Sequence, residues 1–311
     1  MSESILIESV QQREHAAQPH GHAPVWMGWV PLLALPLTAL ALRSSVLPWV
    51  SMWMLAITIF AGCKWQTWWE AHRTNGLAQN WKRSLAYLLL WPGMDAREFF
   101  DRASDERKVP QREWWAAITK TFTGIVLTWC AVRFIALNFF ALGGWTGLVG
   151  LALVLHFGIF QLLALSWQRA GIRVTPIMQK PLLSGSLSEL WGKRWNLGYR
   201  DLSHKWIFRP LQRRFGPAIA TLAAFLVSGF VHELVISVPA RGGYGLPTIY
   251  FFLQGIGSLA ERSATGKWLG MGRGVTGWLW TAAIALGPVY ILFHPPFVLR
   301  VMVPFLRALS S

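Results

Sequence analysis

One apolar stretch of the chain is interrupted by two ionisable side chains. In GPAIATLAAFLVSGFVHELVIS, residues 216–237, His232 and Glu233 stand among residues that otherwise suit a bilayer. Ionisable groups in such a setting are costly and mark function by default. Just upstream, the loop 168–216 holds ten basic residues and the aromatic, polar run LWGKRWNLGYRDLSHKWIFRPL. A loop of that length in a compact protein is commonly functional. Moving an acyl group from a thioester to a hydroxyl needs a base for the alcohol proton and a donor for the developing oxyanion. The His232 imidazole suits the first duty and the Asn196 carboxamide the second.

Helical geometry suggests how the neighbours serve these two. Trp191 and Trp195, four apart, are expected on one helix face, with Asn196 on an adjacent face and Lys193 and Arg194 projecting elsewhere. Ser228 lies one turn before His232, where it can bond the ring or the backbone, and Gly229 allows a close helix neighbour. Glu233 points to another face and is expected to meet a basic partner. His156, a second histidine inside an apolar run, either lines a substrate tunnel or packs against a backbone carbonyl.

The elements that must position these residues are membrane helices. A span needs ~20 mostly apolar residues, and candidates run near 26–42, 46–63, 114–136, 147–167, 217–238, 247–260 and 275–293. Segments 84–93 and 297–309 are too short to cross untilted and read as interfacial or partly inserted pieces, giving about 7–9 membrane segments in all. The expected fold is an all-α polytopic transmembrane bundle, a single membrane domain over 25–311. The basic loops 64–113, 168–216 and 261–274 then share one side, which sets a cytoplasmic N-terminus. Residues 1–24 are polar, lack the pattern of a signal peptide and read as a disordered cytoplasmic tail; His15, His20 and His22 belong to it. The membrane is either a bacterial inner membrane or the endoplasmic reticulum.

Composition supports this class. Of 311 residues 53% are hydrophobic and only 14% charged, against about 25% charged in soluble domains. Twenty tryptophans suit a protein with two membrane interfaces. The net charge of +15 sits in loops between apolar runs, so nucleic acid is not an expected partner. Cys63 and Cys130 form no metal-ligand pattern, and no metal or bound cofactor is expected.

The WGKRWN element at 191–196, the basic aromatic stretch through Trp206 and Arg209, and SGFVHEL at 228–234 resemble the paired signatures of plant-type wax synthases. These are long-chain-alcohol O-fatty-acyltransferases within the membrane-bound O-acyltransferase (MBOAT) superfamily. LLWPGMDA at 89–96 also resembles an upstream segment of that family, and the likeness is densest over about 170–260. The resemblance implies an MBOAT-like bundle with Asn196 and His232 as the two active-site positions. It implies acyl-CoA as co-substrate, entering from the cytoplasmic side past Lys193, Arg194, Arg200 and Lys205, and a lipophilic alcohol as acceptor. Before Trp191 the chain reads LLSGSLSEL, where the sterol and diacylglycerol enzymes carry F-Y-x-D-W-W-N, which favours the wax synthase branch.

The expected activity is therefore transfer of a fatty acyl group from acyl-CoA to a long-chain alcohol, giving a wax ester. Alternatives are an acetyl-CoA donor or a sterol, diacylglycerol or other hydroxylated acceptor. A proton-coupled transporter, with His232 and Glu233 as relay groups, is the rival of another class. Gly272 to Gly277 spell GxGxxG without the strand that a dinucleotide site requires. Asp95 reads as a helix cap, and His294 as an interfacial residue where HPP breaks a helix.

Overall fold

The computed structural model describes residues 24–75, 80–101 and 109–309. Nearly all of the expected tail, His15, His20 and His22 included, lies outside the described residues. Among those described, the chain is helical and holds no β-strand, as an all-α membrane bundle requires. The principal helices are α1 (Val30–Leu42), α2 (Pro48–Asn75), α3 (Trp81–Leu90), α4 (Gln111–Ala136), α5 (Phe140–Ala152), α6 (Phe160–Arg169), α7 (Leu197–Ser203), α8 (Arg209–His232), α9 (Leu246–Arg262), α10 (Gly274–Leu286) and α11 (Val303–Ala308).

Five helical stretches among the described residues are long and apolar enough to cross a membrane: Val25–Ser45, Gln111–Ala136, Phe140–Arg169, Leu197–Ala240 and Gly274–Leu292. The runs expected at 46–63 and 247–260 are helical, in α2 from Pro48 onward and in α9, but are not among these five. Leu33, Phe122, Ile125, Phe230 and Leu286 are exposed, as a lipid-facing surface requires. Within α8, Gly216 has φ 82° and ψ 169° and breaks the helix, and Pro217 opens the piece that runs to His232. Glycine adopts that φ without strain and proline fits the first turn, so the apolar span starts where the sequence turns apolar.

One face of the C-terminal segment 297–309 packs into the protein core, while Leu299 and Leu309 stay exposed. Phe297, Val298, Val301, Met302, Val303 and Leu306 are all at most 4% exposed. Their stripe packs into the core because Gly144 and Gly147 of α5 leave no Cβ in its path; one there would collide with Val298 and Leu306. Helix α3, which overlaps the segment 84–93, has Tyr87 buried and Leu85, Leu89 and Leu90 exposed.

Among the described residues five short stretches widen from α to π geometry: Leu153–Ile159, Leu190–Arg194, His204–Phe208, Glu233–Ser237 and Val298–Met302. Such turns cost hydrogen-bond quality and cluster at functional sites. Four of the five hold or adjoin residues singled out above: His156, the Trp191 to Arg194 run, Lys205 with Trp206, and the His232–Glu233 pair.

Candidate functional site

The histidine is built first by its own helix. His232 Nδ1 lies 2.7 Å from the Ser228 backbone oxygen, four residues back. A carbonyl can only accept, so Nδ1 carries the proton and Nε2 keeps its lone pair. The Ser228 partner is thus the main chain. Phe251 of α9 closes one side of the ring, with centroids 4.4 Å apart.

Helix α9 reaches His232 because Gly229 permits it. A Cβ at Gly229 would stand 2.7 Å from the Thr248 Cα, closer than real contacts allow. This bears out the close helix neighbour expected at Gly229. The same contact provides for Glu233, whose Oε1 accepts from the Thr248 N–H at 3.2 Å and from its hydroxyl at 3.1 Å. The basic partner expected for Glu233 is therefore replaced by Thr248, and its Oε2 is buried without a hydrogen bond.

The WGKRWN element folds differently from the single helix its spacing suggested. The Trp195 N–H bonds the Leu190 carbonyl five residues back at 2.8 Å, closing a π turn. Trp195 is then extended, and Asn196 is left-handed at φ 43° and caps α7, its Oδ1 accepting from the Tyr199 N–H at 3.3 Å. Asparagine tolerates that φ better than most residues. With Oδ1 committed to the cap, the carboxamide NH2 is not used by the cap. Trp191 and Trp195 remain neighbours, with centroids 6.3 Å apart, through the turn rather than a shared face.

An aromatic row joins the two halves. Phe251, against His232, lies 5.8 Å from Trp191, and Trp195 lies 6.2 Å from Phe157. Phe157 brings in the helix of His156, whose Nδ1 is buried without a hydrogen bond and whose ring packs edge-on against Phe160 at 5.6 Å. No hydrogen bond or ring contact among the described residues joins Asn196 directly to His232. They are related through Trp191 and Phe251.

Three of the four cations expected to face acyl-CoA are already paired. Arg194 binds Glu189 at 2.6 Å and also donates to the Gln179 and Lys180 carbonyls. Arg200 pairs with Asp201 at 2.9 Å and Lys205 with Glu70 at 2.5 Å. Lys193 is exposed and shows no such pair. The Glu189 carboxyl is held below its usual range, first by the Gly185 N–H and then by Arg194. Arg194 is thus a clamp on the motif, whereas Lys193 is available to a ligand.

Other polar positions have structural duties. Asp95 caps the helix Ala96–Phe100, accepting from the Glu98 N–H at 3.0 Å. His294 is fully buried within the protein, at the N-cap of Pro295–Phe297. Its Nδ1 accepts from the Phe297 N–H at 3.2 Å, its Nε2 lies 3.2 Å from the Ser237 Oγ, and that hydroxyl donates to the Gly243 carbonyl. The protons all run away from Nε2, so this Ser–His pair cannot act as base and nucleophile. A cavity of about 190 Å³ between Trp91, Asp95, Thr175 and Asp201 touches Leu197 and Gly198. It is lined by neither Asn196 nor His232. No cluster of metal-ligating side chains occurs among the described residues.

Residues 174–254 match the membrane bound O-acyl transferase family. The chain is 28% identical over 145 residues to the probable long-chain-alcohol O-fatty-acyltransferase 7 of Arabidopsis thaliana, covering 41% of each protein. It is 33% identical over 101 residues to the long-chain-alcohol O-fatty-acyltransferase of Simmondsia chinensis, covering 29% of this chain and 28% of the relative. The acyl-CoA–sterol O-acyltransferase 1 of Arabidopsis thaliana matches at 29% over 109 residues, 31% of this chain and 32% of the relative. The chain thus aligns with about two fifths, or less, of these relatives' length. The matched segment contains Asn196, His232 and the aromatic row between them, and through it the chain is related to the wax synthases of the membrane bound O-acyl transferase family.

Proposed function

We propose that the protein is an O-acyltransferase that moves a fatty acyl group from acyl-CoA to a long-chain alcohol, releasing a wax ester and free CoA. The observation that carries this reading is the tautomer of His232. With Nδ1 bonded to the Ser228 carbonyl, Nε2 is an acceptor in apolar surroundings, as a base for an alcohol proton must be. The alcohol oxygen attacks the thioester carbon as Nε2 takes its proton. The tetrahedral oxyanion receives the Asn196 NH2, a donor worth about 10² to 10³ in rate by analogy with other oxyanion donors. As the carbon–sulfur bond breaks, the imidazolium returns the proton to the CoA thiolate. No acyl-enzyme forms.

The aromatic row from Phe251 through Trp191 to Trp195 supplies an apolar wall for the acyl and alkyl chains. Lys193, exposed on the basic side, is available to the CoA phosphates. The concentration of Lys and Arg in the loops 64–113, 168–216 and 261–274 supports a cytoplasmic N-terminus and CoA entry from that side. Trp191, Trp195, Lys193, Ser228, Glu233 and His156 thus border the reaction, while Arg194 holds its frame.

The test is incubation of detergent-solubilised protein with palmitoyl-CoA and a panel of long-chain alcohols, a sterol and diacylglycerol, measuring ester and free CoA together. Wax ester equimolar with released CoA is the expected result. Ester formed only from the sterol or diacylglycerol, or only with acetyl-CoA, moves the acceptor or donor assignment. No CoA release with any acceptor contradicts the enzyme reading and leaves the proton-coupled transporter.

A further inference from the structure

We infer that one face of α9 sets the separation of the two halves of the site, with Gln254 and Glu261 as positioning residues for Asn196; this rests on the acyl-transfer reading. Along α9 the side chains of Thr248, Phe251, Gln254, Ser258 and Glu261 recur at three- and four-residue intervals, which places them on one stripe. The opposite face, with Ile249, Phe252, Leu253 and Ile256, is exposed and apolar. The polar stripe is thus the buried one: Gln254 is 0% exposed, Ser258 2% and Glu261 5%.

Four members of the stripe, Thr248, Phe251, Gln254 and Glu261, hold parts of the site. At the start Thr248 binds Glu233, next to His232. One turn on, Phe251 touches His232 and Trp191 together. Gln254 then accepts from the Trp191 indole N–H at 3.4 Å, and its own NH2 donates to the Ile284 carbonyl at 2.7 Å. Its orientation is therefore fixed from both ends.

At the far end Glu261 caps the element that leads to Asn196. Its two carboxylate oxygens accept from the Leu187 and Ser188 N–H groups, each at 2.8 Å, and from the Ser188 hydroxyl. Arg262 donates to that same hydroxyl at 2.9 Å. A carboxylate at a helix N-terminus satisfies donors that have no partner within the helix. Thr248 and Glu261 are thirteen residues apart, about 20 Å of rigid helix. Both halves of the site are tied to that one helix, His232 at its beginning and the Leu187–Asn196 segment at its middle and end. Glu261 lies beyond the matched stretch 174–254, so the family signature does not include this anchor.

A Glu261→Gln variant keeps the volume but offers one acceptor to two N–H groups. It is expected to lower kcat about 10- to 100-fold, the scale of a misplaced reacting group, with KM for acyl-CoA and alcohol nearly unchanged. The decisive reading is a double-mutant cycle. In an Asn196→Ala background Glu261→Gln should change kcat less than about twofold, because the group it positions is gone. Gln254→Met, which removes only the bonds of the carboxamide, should behave the same way and serves where Glu261→Gln does not fold. Equal losses of both variants in the Asn196→Ala and wild-type backgrounds, or a loss confined to thermal stability and yield, would overturn the inference while leaving the acyltransferase reading intact. A wild-type protein without ester formation overturns both.

Discussion

The His232 Nδ1 proton is held by the Ser228 carbonyl at 2.7 Å, and this single bond decides which ring nitrogen is free. Because the partner is backbone, no substitution of the Ser228 hydroxyl removes it. Ser228→Ala is therefore expected to keep most of the activity, with kcat within about fivefold, the scale of about 1 kcal/mol for a neutral hydrogen bond. Initial rates of ester formation check it. A fall of several hundredfold would give the hydroxyl a role in the reaction that the geometry does not provide.

Asn196 separates two duties of one carboxamide. Its Oδ1 caps α7 and its NH2 is left over. Asn196→Asp preserves the cap and removes the donor, whereas Asn196→Ala removes both. Both variants are expected to lose about 10² to 10³ in kcat, and only the alanine variant should lose stability, by about 1 kcal/mol. Equal activity of wild type and the aspartate variant would exclude Asn196 as an oxyanion donor.

Gly229 tests the helix crossing beside the histidine. Its missing Cβ is what lets Thr248 approach, so Gly229→Ala must push α9 away from α8. Overpacking of this kind costs about 1 to 3 kcal/mol. Lower thermal stability in detergent is expected together with lower kcat, since Phe251 and Thr248 move with α9. A variant as stable and as active as wild type would show that the crossing is looser than the described geometry.

Five of the seven expected spans, the paired motifs and the crossing at Gly229 are legible in the sequence, because apolar run length, ionisable residues in an apolar helix and a small residue on its face each have one physical meaning. The path of the chain between the motifs is not. Spacing alone put Trp191, Trp195 and Asn196 on one helix. A π turn followed by a left-handed asparagine leaves the same residue pattern, and the switch depends on tertiary bonds such as the Arg194 clamp on Gln179 and Lys180. The burial of 297–309 was hidden because its apolar face matches Gly144 and Gly147, more than 150 residues earlier in the chain. The α9 stripe did leave a trace: Gln254, Ser258 and Glu261 are polar residues at helical spacing in an otherwise apolar segment.

Glu189 predicts a pH dependence. The Gly185 N–H and Arg194 hold its carboxyl below the usual range. A lowered carboxyl stabilises the fold above its unfolded value and loses that contribution as pH falls through the lowered one. Glu189→Gln should therefore be less thermally stable than wild type at neutral pH, and the two should converge as pH falls below about 4. A stability difference that does not change with pH would mean that the clamp does not depend on the charge.

Glu233 separates the enzyme from the transporter. Its contacts with Thr248 need one accepting oxygen, which Glu233→Gln supplies. Ester formation is expected to persist within about tenfold, equivalent to about 1.4 kcal/mol. A proton relay through Glu233 would instead be abolished, and complete loss of function in this variant would favour it.

The most direct measurement is ester formation from palmitoyl-CoA and a long-chain alcohol by wild-type protein and by His232→Ala, compared at equal amounts of folded protein. Removing a general base costs about 10² to 10⁴ in rate, so the variant should form ester at no more than about a hundredth of the wild-type rate while keeping a similar KM for acyl-CoA. Equal rates would show that His232 is not the base, and the site built around its Nε2 would fall with it.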